Sequence, residues 1–509
     1  MAAPPYLLVL DQGSTSSRAA LYTKTGRPAY LARAPLAVTV SSPDRVEHAP
    51  ADLLASQMAA VQRALTWLGK GGERKIAAIG IANQRSTFLL WDRSTGRPLG
   101  RAISWQDRRG SEACVEMARL QPLIRRTTGL RLTPHSTISK LRWLLRRSPA
   151  VRRRARAGDL CFGTVNSFLI WHLTRSGHGG AVHATDHTNA SRTLMMDLAS
   201  GRWDQGLLDL FDIPPSILPP ILPTAAFYGE AVVNGMAIPI LSSIGDQQAS
   251  LVGQGGYRPG HLALTYGTGG FLLWNIGARP QQRTALLSTP AWSIADRIDY
   301  ALEGTVNAVG SAILWMQRQL GLIKRPEEID ALCRASREEP VCVPSLSGLG
   351  SPHYAPVETV FFGLRRTTTR ADLVRGLMAG IAHLMHDNYE QMCRERRSRP
   401  RRITAGGGGA QSRWLLQHQA DLFRHEIGLS NTCETTSRGA AYLAGLQCGM
   451  WKSLDELERW NPPVVRIRPT RPPRDVQCSI ARWRRAVALA GKWTAGYIDG
   501  GPECSRVPD

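Results

Sequence analysis

Asp246 is the residue of this sequence whose setting best suits chemistry. It lies in Ile244-Gly-Asp-Gln-Gln248, just after the apolar run Ile238-Pro-Ile-Leu241. A carboxylate at a strand end can accept a hydroxyl proton and hold the oxygen in line for phosphoryl transfer. A lone aspartate there is more often a helix cap. What favours the chemical role is the small-residue turn that follows it, Tyr266-Gly-Thr-Gly-Gly270. A comparable turn, Asp11-Gln-Gly-Ser-Thr-Ser-Ser17, follows the first apolar run. In such a turn successive backbone N–H groups can converge on one phosphate. Ser14, Thr15 and Ser16 add hydroxyl donors and Arg18 adds charge. Asp11, at the strand end, is placed to hold Mg²⁺ directly or through water. A plain β-hairpin uses the same residue types, so the weight rests on the repetition.

A third glycine cluster, Ala405-Gly-Gly-Gly-Gly-Ala-Gln-Ser412, precedes a helical stretch from Arg413 to Phe423. Glycines before a helix N-terminus let a nucleotide approach closely, and the dipole there favours phosphate. The spacing is not that of a P-loop. Two further segments, Asn83-Gln-Arg-Ser-Thr87 and Ser104-Trp-Gln-Asp-Arg-Arg109, each follow a strand-like run. Arg85 suits substrate hydroxyls, and Trp105 offers a flat apolar wall for a carbon skeleton. Taken singly, each is equally well read as packing.

These residues need elements to hold them. Tyr6-Leu-Leu-Val-Leu10 reads as a buried strand and Arg18-Ala-Ala-Leu-Tyr22 as its return, with Lys24-Thr-Gly26 closing a further hairpin. The same strand–turn–strand unit recurs about 250 residues later, as Leu262 to Thr265 and Phe271 to Trp274. Two halves of one architecture are therefore expected, residues 1–253 and 254–493, with a tail at 494–509. The periodicity predicts a helix from Asp372 to Met392 with Thr369 as a cap. Ser437 to Leu446, rich in small residues, predicts a helix in close contact with a neighbour. Mixed strands and helices give an α/β class.

At 509 residues the chain is too long for one core. An apolar fraction of 43% and a charged fraction of 20% exclude a disordered chain. No apolar run reaches the length of a membrane span, and Met1 to Leu10 reads as a first strand rather than a signal peptide. The formal net charge of +23 points at first to a polyanion. Yet only seven of the 63 basic residues are lysine, and the arginines are spread along the chain. The densest stretch, Arg142 to Arg156, has helical apolar spacing and reads as a solvated face. Nine cysteines without a C-x-x-C pair fit a reducing cytoplasm.

Together these segments resemble the FGGY carbohydrate kinases, and among them the members that act on glycerol. The resemblance runs from about Tyr6 to Leu454. It includes Cys161-Phe-Gly-Thr-Val165, Ala184-Thr-Asp-His-Thr-Asn-Ala-Ser-Arg192, Pro344-Ser-Leu-Ser-Gly-Leu349 and Cys433-Glu-Thr-Thr-Ser-Arg-Gly-Ala-Ala-Tyr-Leu-Ala-Gly445. It implies two actin-like (ribonuclease H-like) ATPase domains with the active site in the cleft between them, closing during turnover, with ATP and Mg²⁺ as cofactors. It also implies that residues 1–253 are the polyol side and 254–493 the nucleotide side. By the resemblance Asp246 is the general base and Asp11 lies by the metal. Ser14, Thr15, Ser16, Arg18, Thr268, Gly310, Gly408 and Ser412 take nucleotide positions. Arg85, Ser86, Trp105, His135, Asp246, Gln247 and Phe271 take polyol positions. The implied reaction is phosphorylation of a small polyol, glycerol first, with erythritol, xylulose or ribulose as alternatives. Neither a nucleic-acid partner nor a membrane span is expected; a homo-oligomer is left open.

Several positions depart from the pattern. Ser86 stands where a glutamate usually follows the arginine, and His135 where a tyrosine is usual. Leu314 and Ser412 replace a glutamine and an asparagine, and Ala379 replaces an acidic residue. Sites that hydrogen-bond a hydroxyl discriminate through those bonds, so a larger polyol, or a relative that binds without turnover, is the competing expectation. An actin-like chaperone or filament leaves Arg85, Trp105 and Asp246-Gln247 without a role.

Overall fold

Leu7, Leu8, Val9 and Leu10 are wholly buried in the computed structural model, as an apolar run in a strand covered on both faces must be. The structure describes residues 5–282, 284–460 and 465–499. The chain divides into two compact units. The first comprises Met1–Pro259, Asn275–Ala301 and Glu434–Pro462; the second comprises Gly260–Trp274, Leu302–Cys433 and Pro463–Asp509. Each unit thus draws on separated stretches of sequence.

In the first unit six strands form one sheet: β1 (Tyr6–Gln12), β2 (Ser16–Thr23), β3 (Pro28–Pro35), β4 (Ile76–Asn83), β5 (Glu230–Val233) and β6 (Met236–Gly245). Their order is β5-β6-β4-β1-β2-β3. The expected hairpin is present, β1 and β2 pairing antiparallel with Asp11 opposite Arg18. β1, β4 and β6 run parallel, with Gln12 beside Asn83 and Asn83 beside Gly245. Three chemically suggestive segments therefore leave the sheet side by side at the C-terminal ends of three parallel strands, where open α/β sheets bind ligands. On one face Leu8 and Leu10 pack with Ala60, Val61 and Ala64 of the helix Pro50–Leu68. On the other face lies the helix Thr435–Gln447, where the Ser242 hydroxyl donates to Ala440 O at 2.9 Å.

The second unit carries β7 (His261–Tyr266), β8 (Gly270–Gly277), β9 (Arg297–Val306), β10 (Arg402–Gly406), β11 (Ile427–Leu429) and β12 (Arg466–Ile467), in the order β9-β8-β7-β10-β11-β12. The unit boundary falls within β8 and β9. β7 and β8 form the second expected hairpin, and β10 joins β7 in parallel with Gly406 beside Thr265. The helix predicted over 372–392 spans Arg370–Arg396, and a reciprocal Thr369–Asp372 capping box starts it. The C-terminal helix Pro473–Asp499 runs past residue 494, where a tail was expected; residues 500–509 of that tail lie outside the described residues.

The basic stretch 142–156 is split between two helices, Thr137–Arg147 and Pro149–Ala157, at Ser148-Pro149. Four of its seven arginines find carboxylates: Arg142 and Arg146 pair with Glu116, Arg154 with Asp92, and Arg156 with Asp212. Among the described residues no helix is long and apolar enough to cross a membrane, and the cysteines there are free thiols.

Candidate active site

Asp246 opens the helix Asp246–Gly253 directly at the end of β6. Its carboxylate receives the Gln247 backbone N–H at 2.8 Å and the Gln247 Nε2 at 3.3 Å. Arg85 Nε lies 3.4 Å from Asp246 Oδ1, and Arg85 Nη1 donates to Gln248 Oε1 at 3.3 Å. An arginine and two amide donors meet this carboxylate, and 29% of the side chain remains open to solvent. Gln247 spends its N–H groups on Asp246, while its Oε1 is buried without a donor among the described residues. A buried lone acceptor is costly, and a ligand hydroxyl would satisfy it.

The turn after β1 is tied to this region by a residue the motif reading passed over. Gln84 accepts from Ser14 Oγ at 3.2 Å and from Thr87 Oγ1 at 2.9 Å, and its Nε2 donates to Gly13 O at 3.1 Å. Trp105 completes the link: its indole N–H donates to Ser14 Oγ at 2.9 Å and its backbone N–H to Thr87 Oγ1 at 3.0 Å. One amide therefore joins the hydroxyl-rich turn to the polyol candidates. The Trp105 ring stays partly exposed, as a contact wall requires.

Asp11 is buried and its Oδ2 lies 3.1 Å from Arg18 Nη1. Burial raises its pKa to about 6 against the pull of Arg18, and the Glu434 and Asp246 carboxylates add to the rise. Glu434, also missed in the sequence, sits 3.5 Å from the same Arg18 atom. Thr15 is exposed, and Ser16 is the first residue of β2. Ser86 has φ +67°, unusual for a residue with a Cβ. Its carbonyl accepts from Thr137 Oγ1 at 3.0 Å, and its hydroxyl donates to Arg192 O at 3.4 Å. The short side chain is thereby tied to backbone. His135 lies in the loop before the helix Thr137–Arg147, against the backbone of Trp105 and Gln106.

In the second unit the turn after β7 holds Thr268, exposed, with its carbonyl accepting from Ser311 N at 3.1 Å. Gly310 N donates to Gly267 O at 3.0 Å, and a Cβ on Gly310 would lie 2.6 Å from that oxygen. Only glycine permits this approach. Gly407, at φ +88°, leads into Gly408, whose Cα faces open space. Phe271 lies on β8, next to Gly270. Ser412 caps the helix Arg413–Phe423, accepting from Leu415 N, and donates to Asp330 Oδ1 at 2.5 Å. Asp330 also accepts the Arg413 N–H. The N-terminus of this helix thus already holds a carboxylate, and the Ser412 hydroxyl is engaged locally. Leu314, on the helix Gly310–Arg318, is exposed.

The hairpins, the parallel strands beside them and the turns at their C-terminal ends define actin-like α/β units of a phosphotransferase. The chain belongs to the FGGY family of carbohydrate kinases: residues 6–253 match its N-terminal domain and residues 262–448 its C-terminal domain. A glycerol kinase of Aromatoleum aromaticum is 42% identical over 498 residues, spanning 96% of this chain and 99% of the relative. A glycerol kinase of Thermus brockianus is 41% identical over 496 residues, with 96% and 99% covered. The solved structure of Plasmodium falciparum glycerol kinase with ADP superposes with a TM-score of 0.88 at 28% identity, covering 96% of this chain and 99% of that one. A xylulose kinase from Rhodospirillum rubrum shares the fold, with a TM-score of 0.82, 24% identity, and 96% and 99% covered.

Proposed function

We propose that this chain transfers the γ-phosphoryl group of ATP to a hydroxyl of a small polyol, glycerol first among them. The observation that carries the reading is the strand register. It sets Gln12, Asn83 and Gly245 side by side and so delivers the 11–18 turn, Arg85 and Asp246 to one end of one sheet. Asp246 is the general base. It takes the proton of the attacking hydroxyl as the oxygen–phosphorus bond forms and the bond to the β,γ-bridging oxygen breaks, releasing ADP. Arg85 and Gln247 hold the Asp246 carboxylate and orient the acceptor, with Trp105 against its carbon chain. Ser14, Thr15, Ser16 and Arg18 face the phosphates, and Thr268, Gly310 and Gly408 serve the nucleotide.

The residues present fit Mg²⁺. Asp11 and Glu434 share Arg18, and burial first, with the Glu434 and Asp246 carboxylates adding to it, raises the Asp11 pKa to about 6. Among the described residues no three ligating side chains form a cage, and Mg²⁺ is commonly held by one or two carboxylates together with substrate phosphates. Asp11 would hold it, where it neutralises charge on the transferring group.

A second reading, a larger polyol or a ketose, is favoured by Ser86. Its side chain is short and engaged with the Arg192 carbonyl, so no carboxylate reaches for substrate hydroxyls from that position. Coupled-assay turnover on glycerol, erythritol, dihydroxyacetone, xylulose and ribulose separates the readings. Glycerol is expected to give the highest kcat/KM, and Asp246→Asn to lose about 10² or more in kcat with ATP binding intact. Turnover of a tetritol or ketose without glycerol would retain the kinase and replace its substrate. No turnover on any of them would leave a binding protein.

A further inference from the structure

Behind the candidate base lies a buried polar cluster that touches no candidate ligand group. Asp186, Thr188, Asn189, Asn83, Asn166 and Ser243 are each wholly buried. Asp186 has no cation within salt-bridge distance among the described residues; its carboxylate is met by donors alone. Oδ1 accepts from Asn189 Nδ2 at 2.6 Å and from Asn166 Nδ2 and Ser243 Oγ, both at 3.3 Å. Oδ2 accepts from the Thr188 backbone N–H at 2.8 Å and from the Thr188 hydroxyl.

These bonds fix the direction of two other groups. A threonine hydroxyl has one proton, and that of Thr188 is committed to Asp186. Its lone pairs are left for the Gly245 N–H, which donates to Thr188 Oγ1 at 2.8 Å. Gly245 is the residue before Asp246. On the other side, the Asn189 amide is oriented by its bond to Asp186 and exchanges two hydrogen bonds with the Asn83 amide, at 2.9 and 3.0 Å. Asn83 ends β4 two residues before Arg85.

We infer that Asp186 and Thr188 are positioning residues of the phosphoryl transfer, one buried carboxylate setting the strand ends that carry both Asp246 and Arg85. A buried carboxylate ringed by neutral donors is a costly way to fill a core. An apolar side chain of similar size would hold the layers together without that cost, but it would not orient Gly245 N–H or the Asn83 amide. The Arg85–Asp246 separation of 3.4 Å depends on both strand ends, and misplacement by about 1 Å is enough to cost on the order of 10² in rate.

The inference rests on the kinase reading, and the test separates the two. Thr188→Val keeps the shape and removes the acceptor for Gly245 N–H; Thr188→Ser keeps the acceptor. Thr188→Val is expected to lose about tenfold or more in kcat, with KM for ATP within about twofold of wild type, and Thr188→Ser to retain wild-type kcat. Hydrogen exchange of the peptide containing residues 245–248 should quicken in Thr188→Val and not in Thr188→Ser. That measurement decides the anchor even if the wild type turns over no polyol, an outcome that would sink the kinase reading instead. If Thr188→Val does not fold, Asp186→Asn, of near-equal shape, is read the same way. Equal kcat and equal exchange in the Val and Ser variants overturns the inference. So does loss of folding in both Thr188→Val and Asp186→Asn while Thr188→Ser folds, since the cluster would then be a structural element only.

Discussion

Ser86 shows how far a single residue reaches. Its backbone sits at φ +67°, a conformation that costs a side-chain-bearing residue of order 1 kcal/mol, and Thr137 and Arg192 hold it there. A glutamate on the same backbone would add an acceptor with formal charge, and hydrogen bonds to charged groups contribute about 1.5–3 kcal/mol. Ser86→Glu is therefore expected to lower KM for glycerol roughly tenfold or more with little change in kcat. Steady-state kinetics checks it, and an unchanged KM would move discrimination to other residues of the pocket. Ser86, Arg85, Asp246 and Trp105 are legible as candidates because each stands in a short segment with its own chemical character. Gln84 and Glu434 are not. An uncharged amide inside Asn83-Gln-Arg85 has no signature of its own, and its role comes from meeting Ser14 and Thr87 across the fold. Glu434 reaches Arg18 from more than 400 positions along the chain. No local pattern announces such a partner.

Elements were legible where the signal is local. The two hairpins, the helix begun by Thr369 and the small-residue helix after Glu434 follow from turn chemistry, capping and period. The register that builds the site did not, because pairing among β1, β4 and β6 joins segments far apart in sequence. Nor did the length of the last helix, since small residues and a glycine near its end resemble a tail. The small-residue helix carries its own test. A Cβ on Gly439 would stand 1.9 Å from Ala249 O, and one on Gly253 would stand 1.9 Å from Thr435 O. Arg438 Nε also donates to Gly253 O at 2.7 Å. The helix that begins with Asp246 is thus pressed against Thr435–Gln447 backbone to backbone. Gly439→Ala must push the two apart, and is expected to cost at least the 1–3 kcal/mol typical of overpacking, about as a lower bound, and to lower kcat with it. Gly491 in the C-terminal helix has nothing within 4 Å of its Cβ position. Gly491→Ala should stabilise by about 0.5–1 kcal/mol and leave kcat alone. Thermal unfolding and turnover of the two variants check both; a Gly439→Ala protein as stable and active as wild type would mean the helices are not so tightly opposed.

At the scale of the whole molecule, the net charge of +23 reflects arginines of which many meet a carboxylate, as in the pairs of residues 142–156 with Glu116, Asp92 and Asp212. The path of the chain has a firmer consequence. A contiguous reading of the repeat places a division near residue 253, and the family's N-terminal domain match also ends there. The compact first unit nevertheless includes Asn275–Ala301 and Glu434–Pro462. The later stretch supplies the helix Thr435–Gln447, which accepts the Ser242 hydroxyl, leaves no room for a Cβ on Gly80, and meets Leu7 at Gly445. A fragment of residues 1–259 would lose that whole layer. One face of its sheet, with wholly buried residues such as Leu7 and Val9, would be open to water, at a cost of roughly 25 cal/mol for each Å² of apolar surface. For several such side chains this reaches the few kcal/mol by which a domain is stable. The fragment is therefore expected to show no cooperative thermal transition and little near-ultraviolet dichroism, whereas the full chain shows both. A cooperative transition in the fragment alone would mean that residues 1–259 carry a sufficient core, and that the C-terminal return adds only to a unit already formed.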